Sequence, residues 1–359
     1  MLHRKYESMT VLWAVAGCAM ILSAAGNGFA VEGGFIGPDA TGGPPVNPAA
    51  WHKAPGDVLS LEQAWGRRVK PRGLFHVPGG IGLLYNSKPP VGYRDGATHQ
   101  TGSLAFSRNL VDWHDYPGNP VLYEVQDWQG EERAMPRAML YDGQNEQWVV
   151  YFCDANGQYP GIRAVGTAFS RDLRHWTYAP GPTLTIEDFA KAVPDRMEAT
   201  DEELQQEGRV YSSWAVYHEG RYFMQVSGSV RTGEDRRYHS ILMVADAPDG
   251  PFTQYKEFKG DFMPGTMPVY WAGMWYSVYT GHWDGVPGFG LAQADALTGP
   301  YETNPRNPIV TVETITRARP QLVRHDGVWA ILYCHQHDTN NMPLRLAIAN
   351  IYPELIPDW

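Results

Sequence analysis

Ala105-Phe106-Ser107-Arg108-Asn109-Leu110 runs on to Trp113 and Pro117-Gly118, and the chain writes nearly the same stretch again as Ala168-Phe169-Ser170-Arg171-Asp172-Leu173, Trp176 and Pro180-Gly181. Eight of the fourteen positions from Ala105 to Gly118 recur 63 residues later without a gap, far more than composition alone supplies. Each copy reads as a short strand (103–107 and 165–170), a polar turn of the kind Asn, Asp and Gly favour, and a second strand opened by the Trp. A period of this size, filled by strands rather than helices, points to radial repetition of small sheets.

Weaker copies follow at Ala245-Asp246-Ala247 with Gly250-Pro251-Phe252, and at Ala294-Asp295-Ala296 with Gly299-Pro300-Tyr301. The Asn119-Pro120-Val121-Leu122 that closes the first unit returns as Asn307-Pro308-Ile309-Val310. Between these units lie hairpins, each with a turn signal between apolar strands: 74–85 around Gly79-Gly80, 139–152 around Asp142-Gly143, 214–226 around Glu219-Gly220, 269–279 around Ala272-Gly273, and 322–333 around Asp326-Gly327. Hairpin plus unit makes a four-stranded antiparallel blade, so the expectation is an all-β, five-bladed β-propeller. The fifth blade lacks a clear outer strand, which the amino-terminal segment could supply. The polar interval 184–210 breaks the rhythm with helical composition and reads either as a solvated decoration or as a wall of the functional rim.

Residues 1–30 read as a signal peptide: His3, Arg4 and Lys5 are basic, 11–25 is apolar, and Gly28-Phe29-Ala30 offers small residues for cleavage. The protein is therefore expected to be exported, periplasmic or extracellular. Val15-Ala16-Gly17-Cys18 also resembles a lipobox, so a membrane partner enters only through lipidation at Cys18. Residues 31–57, rich in Gly and Pro, read as a linker or surface arm, 58–67 as a short helix, and 58–359 as the propeller. The formal net charge of -10 argues against nucleic acid and against an anionic membrane surface. Cys153 and Cys334 end strands in similar contexts, Tyr151-Phe152-Cys153 and Leu332-Tyr333-Cys334; equivalent places in non-neighbouring blades would leave them as free buried thiols. Cys and His spacings give no zinc pattern, and no metal ligand set is assigned.

The units at Ser107-Arg108-Asn109-Leu110 with Trp113, at Ser170-Arg171-Asp172-Leu173 with Trp176, and at Ala245-Asp246-Ala247 with Gly250-Pro251-Phe252 resemble the blade signatures of five-bladed propeller glycoside hydrolases of the family 43 and family 32 type. The resemblance spans roughly residues 70–352. It implies a glycosidase with a funnel at the axis, where one carboxylic acid protonates the leaving oxygen and a second carboxylate acts as base or nucleophile. The chain departs from the pattern: Lys70-Pro71 stands where family 43 has an Asp before Pro, Ala134-Met135-Pro136 where family 32 has Arg-Asp-Pro, and Pro264-Gly265-Thr266 where family 43 has Glu-Gly-Pro.

Acids placed by geometry take over as candidates. Inner strands begin and second strands end on one rim, which nominates Glu131 and Glu132 before blade two, Asp154, Asp284 and Asp338. Glu132 either pairs with Arg133 or Arg137 or meets Asp154 across one blade mouth. Asp154 either caps the Asn156-Gly157 turn or works in the site. His282 and His335 sit at equivalent strand ends; each is a rim residue or, as in related propeller glycosidases acting on marine galactans, a proton donor. Arg72, Arg137, Arg317 and Arg319 cluster at inner-strand starts, either pairing with rim acids or holding a substrate carboxylate or sulfate in guanidinium forks. Trp214 and Trp283 are candidate stacking platforms for a sugar face. No cofactor is required, and a structural calcium ion at the axis is allowed for.

The function expected is thus a secreted glycoside hydrolase acting on plant or algal oligo- or polysaccharides, anionic ones included. The rivals are a carbohydrate-binding propeller that has lost hydrolysis and a glycan phosphorylase that uses the arginines for phosphate. Ser170-Arg171-Asp172-Leu173 lacks the Gly-x-Thr-Trp continuation of a sialidase Asp-box.

Overall fold

A computed structural model of the protein describes residues 43–66, 68–88, 101–123, 135–154, 164–193, 200–232, 235–255, 262–335 and 342–349. Residues 1–30, expected to be a signal peptide, with Cys18 among them, and Glu131, Glu132 and Asp338 lie outside these, and the side chain of Asp154 is not described. All described residues belong to one unit, Phe35–Trp359.

The chain is nearly all β. Blade one is β2 (Lys70–Val77), β3 (Gly80–Ser87), β4 (Thr101–Ser107) and β5 (Trp113–Asp115), hydrogen-bonded in that order. Blade two is β6 (Met135–Asp142), β7 (Gln147–Asp154) and β8 (Ala164–Ser170), with β9 (Thr177–Tyr178) and β10 (Leu184–Thr185) both on the outer edge. Blade three is β11 (Arg209–His218), β12 (Arg221–Thr232), β13 (Asp235–Ala245) and β14 (Thr253–Gln254). Blade four is β15 (Val269–Trp271), β16 (Met274–Trp283) and β17 (Val286–Ala294), edged by β18 (Glu302–Thr303) and β19 (Val310–Thr311). Blade five is β20 (Gln321–His325), β21 (Val328–Cys334) and β22 (Leu344–Ala349), and its outer strand is β1 (Trp51–Lys53). Trp51 pairs with Ala349 and Lys53 with Ala347, so the amino-terminal segment completes the last blade and ties the two ends of the domain together.

Five separate clusters of buried apolar side chains fill the five interfaces between neighbouring blades. Leu84 and Phe75 meet Val150 between blades one and two, and Tyr151 meets Val226 between two and three. Trp214 meets Trp275 between three and four, Phe289 meets Leu322 between four and five, and Leu83 meets Leu332 between five and one. Coverage on both faces explains why a second strand such as β21, Val328–Cys334, reads as a continuous apolar run rather than an alternating one. The ring closes without an open face.

The repeated stretch owes its form to local hydrogen bonding. Asn109 Oδ1 accepts from the backbone N–H groups of Val111 and Asp112, and Asp172 Oδ1 accepts from those of Arg174 and His175. Each turn carries its Leu in the left-handed region, Leu110 at φ 68 and Leu173 at φ 64, a conformation that Asx capping makes tolerable. The hairpin turns at Glu219-Gly220, Ala272-Gly273, Asp284-Gly285 and Asp326-Gly327 have positive φ at both central residues, the requirement of a two-residue type I′ turn.

Residues 58–66 are not the helix expected of them. Leu59 forms a β-bridge to Leu344, and only a single turn follows, with Ala64 N–H donating to Ser60 O; tertiary pairing to blade five outweighs the weak local helical preference. The insertion does contain two helices, α1 (Ile186–Ala192) and α2 (Asp201–Glu207), each opened by a capping box at Thr185 and Thr200. It is more than a solvated decoration. Ile186 and Phe189 are fully buried, and the Phe189 ring covers Gly228 of β12, where an added Cβ would lie only 2.3 Å from it. Gly228 pairs with His239 and with Val210 at the start of β11, so the helices stand on the rim where inner strands begin.

Candidate functional site

β2 and β6 share a device that aims one side chain. In β2 the register steps from Pro71 opposite Tyr85 to Gly73 opposite Leu84, leaving Arg72 as the extra residue of a β-bulge. In β6 the step runs from Pro136 opposite Phe152 to Ala138 opposite Tyr151, leaving Arg137 extra. β11 has the same irregularity between Ser212 and Trp214. A bulge bends its strand and redirects the surplus side chain, and Pro before it supplies no ladder N–H. Thus the two sequences Lys-Pro-Arg-Gly and Met-Pro-Arg-Ala each deliver an arginine to the rim of the axis.

Blade five delivers a third by a different route. Arg317 (φ 58) and Arg319 (φ 48) both occupy the left-handed region immediately before β20. For residues with a Cβ this conformation costs of order 1 kcal/mol or more each, and it concentrates at sites the surrounding structure over-determines.

The result is a cluster of cations. Lys70, Arg72 and Arg137 are buried, at 8, 6 and 9% exposure, while Arg319 is half-buried. Burial pushes the Lys70 amine down to about 5, and the charges of Arg72, Arg319 and Arg137 add to the effect. Burial likewise lowers Arg72 and Arg319, each further depressed by Arg137. The Nε–H groups of Arg72, Arg137 and Arg319 are buried and make no hydrogen bond among the described residues. Across the strand from Lys70 stands Asn86, fully buried, with neither side-chain amide atom bonded among the described residues. Arg137 lies 5.2 Å from the centre of the Tyr211 ring and hydrogen-bonds the Cys153 thiol. The charges named as acting on Lys70, Arg72 and Arg319 are those of one another, of Arg137 and Arg317, of the Cys153 and Cys334 thiols and of Tyr211.

Cys153 and Cys334 are free and buried, on either side of the cluster. Cys334 Sγ donates to the backbone oxygen of Arg317 at 2.8 Å, which steadies the strained approach to β20. Among the described residues no group of three or more His, Cys, Asp or Glu is gathered as a metal site. Lys70, Arg72, Arg137 and Arg319, the axial groups among the described residues, offer a calcium ion none of the oxygen ligands it takes.

The other candidate residues fall in several places. Asp154 ends β7 on the rim, opposite Ala164. Asp284 is the exposed first residue of the β16–β17 turn, and His282, also exposed, lies two residues before it. Trp283 stands beside Tyr279, ring centres 5.9 Å apart, and is half-buried on the rim. Trp214 is different: at 1% exposure, with its indole N–H donating to Pro264 O, it packs between blades three and four and leaves no ring face for a sugar. His335 is buried, its Nδ1 3.7 Å from Glu313 Oε2. The structure therefore brings Arg72, Arg137 and Arg319 together and sets His282, Trp283 and Asp284 apart on the blade-four hairpin. Lys70 and Tyr211 are the members sequence reading missed. Lys70 had a signal, since Lys70-Pro71-Arg72 parallels Met135-Pro136-Arg137, with Lys where an acid was expected.

No protein-family model matches the chain, and no curated protein is similar to it in sequence. Among solved structures, the fold is shared with BT0996 in its RGII complex at 13% identity and TM-score 0.59, covering 83% of this chain and 92% of that one. A glycoside hydrolase aligns at 12% identity and TM-score 0.53, covering 82% and 93%. The α-L-arabinofuranosidase of Podospora anserina, solved with cellotriose, aligns at 10% identity and TM-score 0.51, covering 83% and 95%. The chain is thus a five-bladed propeller of the architecture found in glycoside hydrolases.

Proposed function

We propose that the protein is an exported glycoside hydrolase that binds oligo- or polysaccharides of plant or algal origin in a funnel at the propeller axis. The observation that carries this reading is the lining of the axis, where the inner-strand starts of blades one, two and five contribute charged side chains rather than an oily plug. The names of the structural neighbours, an arabinofuranosidase and a glycoside hydrolase, support carbohydrate as the partner. Glu132 and Asp154 flank the mouth of blade two in sequence and are the acid and base assigned to the reaction, with His282 and Asp284 as the alternative donor pair. Carboxyl groups about 5 to 5.5 Å apart would make the enzyme retaining, and about 6.5 to 9.5 Å inverting.

A second reading is a binding propeller without hydrolysis. It is favoured by Lys70, Met135 and Pro264 standing where the families that the chain resembles carry acids. Screening the purified protein against an oligosaccharide panel, with Glu132→Gln and Asp154→Asn alongside, separates the two. Turnover lost in both variants supports the assignment. Turnover kept in both moves catalysis elsewhere, and binding without turnover by the parent protein makes it a binding module.

A further inference from the structure

We propose that Lys70, Arg72, Arg137 and Arg319 form a receptor for one oxyanion of the substrate, a sulfate ester, a uronate carboxylate or a phosphate, so that the funnel selects acidic glycans. The glycan half of this statement rests on the proposed function above; the oxyanion half rests on the cluster alone.

Removing a cation from water is costly, and proteins leave one buried only where a counter-charge meets it. Here the buried cations face one another, and the charges named beside them are those of fellow cations, of the Cys153 and Cys334 thiols and of Tyr211. The donors are also unspent. Three guanidinium Nε–H groups and the Asn86 amide, all buried, make no hydrogen bond among the described residues. Two of the arginines are aimed by β-bulges and the third by left-handed backbone, so the convergence is built into three separate blades. Guanidinium forks match oxyanions in geometry as well as charge, because two parallel N–H groups meet two oxygens at once. Arg319, only half-buried, gives the group its access from solvent.

Lys70 refines the selectivity. As a largely neutral amine it adds little repulsion to the arginines, and an arriving oxyanion restores its proton, adding a fourth charge on binding. A neutral hydroxyl of a sugar cannot do this. Among the described residues, the ionisable groups named as acting on Lys70 are the Arg72, Arg319 and Arg137 side chains and the Cys334 thiol, from β2, the approach to β20, β6 and β21.

The test is titration calorimetry and thermal denaturation of the mature chain with sodium sulfate, sodium phosphate and sodium galacturonate, against sodium chloride at equal ionic strength and neutral galactose. Saturable binding of at least one oxyanion is expected, weaker by roughly tenfold or more in Lys70→Met and in Arg137→Met and unchanged in Arg306→Met, a change at an exposed arginine outside the cluster. The tightest of the three names the source of the charge. The proposal falls if no oxyanion acts beyond chloride, or if both cluster variants bind as the parent does. Circular dichroism of each variant guards against a folding defect, and rescue of binding in Lys70→Arg isolates the charge. Turnover of neutral oligosaccharides without oxyanion binding would overturn this inference and leave the hydrolase standing; oxyanion binding without any turnover would do the reverse.

Discussion

The side chain of Asn119 is bonded to both backbone groups of Leu104: its Oδ1 accepts the Leu104 N–H at 2.8 Å and its Nδ2 donates to the Leu104 carbonyl at 2.8 Å. Asn307 holds Leu291 in the same way, at 2.9 and 3.1 Å. In each case the amide imitates a residue of a fourth strand, finishing the edge of the third. Replacing Asn119 by Ala leaves the Leu104 N–H unmet, while the Leu104 carbonyl keeps the Tyr116 N–H that it also accepts. The expected cost is about 2 kcal/mol, read as a lower urea midpoint with an unchanged m-value; an undiminished midpoint would mean that water serves the edge equally well.

Phe189 and Gly228 make a comparable fit between the insertion and blade three, with no room for a Cβ at Gly228. Phe189→Ala should destabilise the protein by about 3 kcal/mol through the cavity it leaves. Gly228→Ala, which pushes α1 off the rim without emptying the core, should raise KM more than it lowers the melting temperature. An unchanged KM would assign the helices to stability alone.

Lys70 makes stability depend on pH in a defined direction. Its amine sits at about 5 in the folded protein against a reference of 10.5, so between those values the unfolded chain holds the extra proton. The protein without its anion therefore gains stability from this group as pH rises through that window, by up to about 1.4 kcal/mol per pH unit, and the effect levels off below pH 5. Lys70→Met removes the dependence. Its melting temperature should exceed the parent's most at pH 5.5 and approach it toward pH 9; parallel curves would show that the amine is already charged. Such a gain from deleting a functional group is the usual sign of stability exchanged for binding.

The propeller was legible because its repeat is local: the Ser-x-Asn/Asp-Leu turn and the Asn-Pro edge clasp each depend on residues close together in sequence. The outer strand of blade five was visible only as a shortfall, since pairing of Trp51 with Ala349 is a matter of register across the whole chain. Residues 58–66 were misjudged for the same reason, their bridge to Leu344 being non-local. At the site, Arg72 and Arg137 could be placed on the rim, but the bulges that turn them toward one another arise from a one-residue mismatch with β3 and β7 that no single strand encodes. Trp214 looked like a platform because its strand starts on the functional rim, yet the bulge before it sends the indole between blades.

The two thiols give an independent probe of the axis. Cys153 and Cys334 are 0 and 1% exposed, and burial pushes both thiols up, against the opposing pull of Arg137 on the first and Lys70 on the second. A thiol that is both covered and protonated reacts only when the blade ends open. Alkylation at pH 8, followed by peptide mass spectrometry, should modify both residues on denaturation but in the native protein at a rate lower by roughly a thousandfold. Because Cys334 bonds the backbone at Arg317 and Cys153 bonds Arg137, saturating oxyanion should slow the native reaction further at both positions. Protection of one thiol and not the other would show which blade end opens independently of the ligand, and rapid native labelling of both would contradict a closed axial wall.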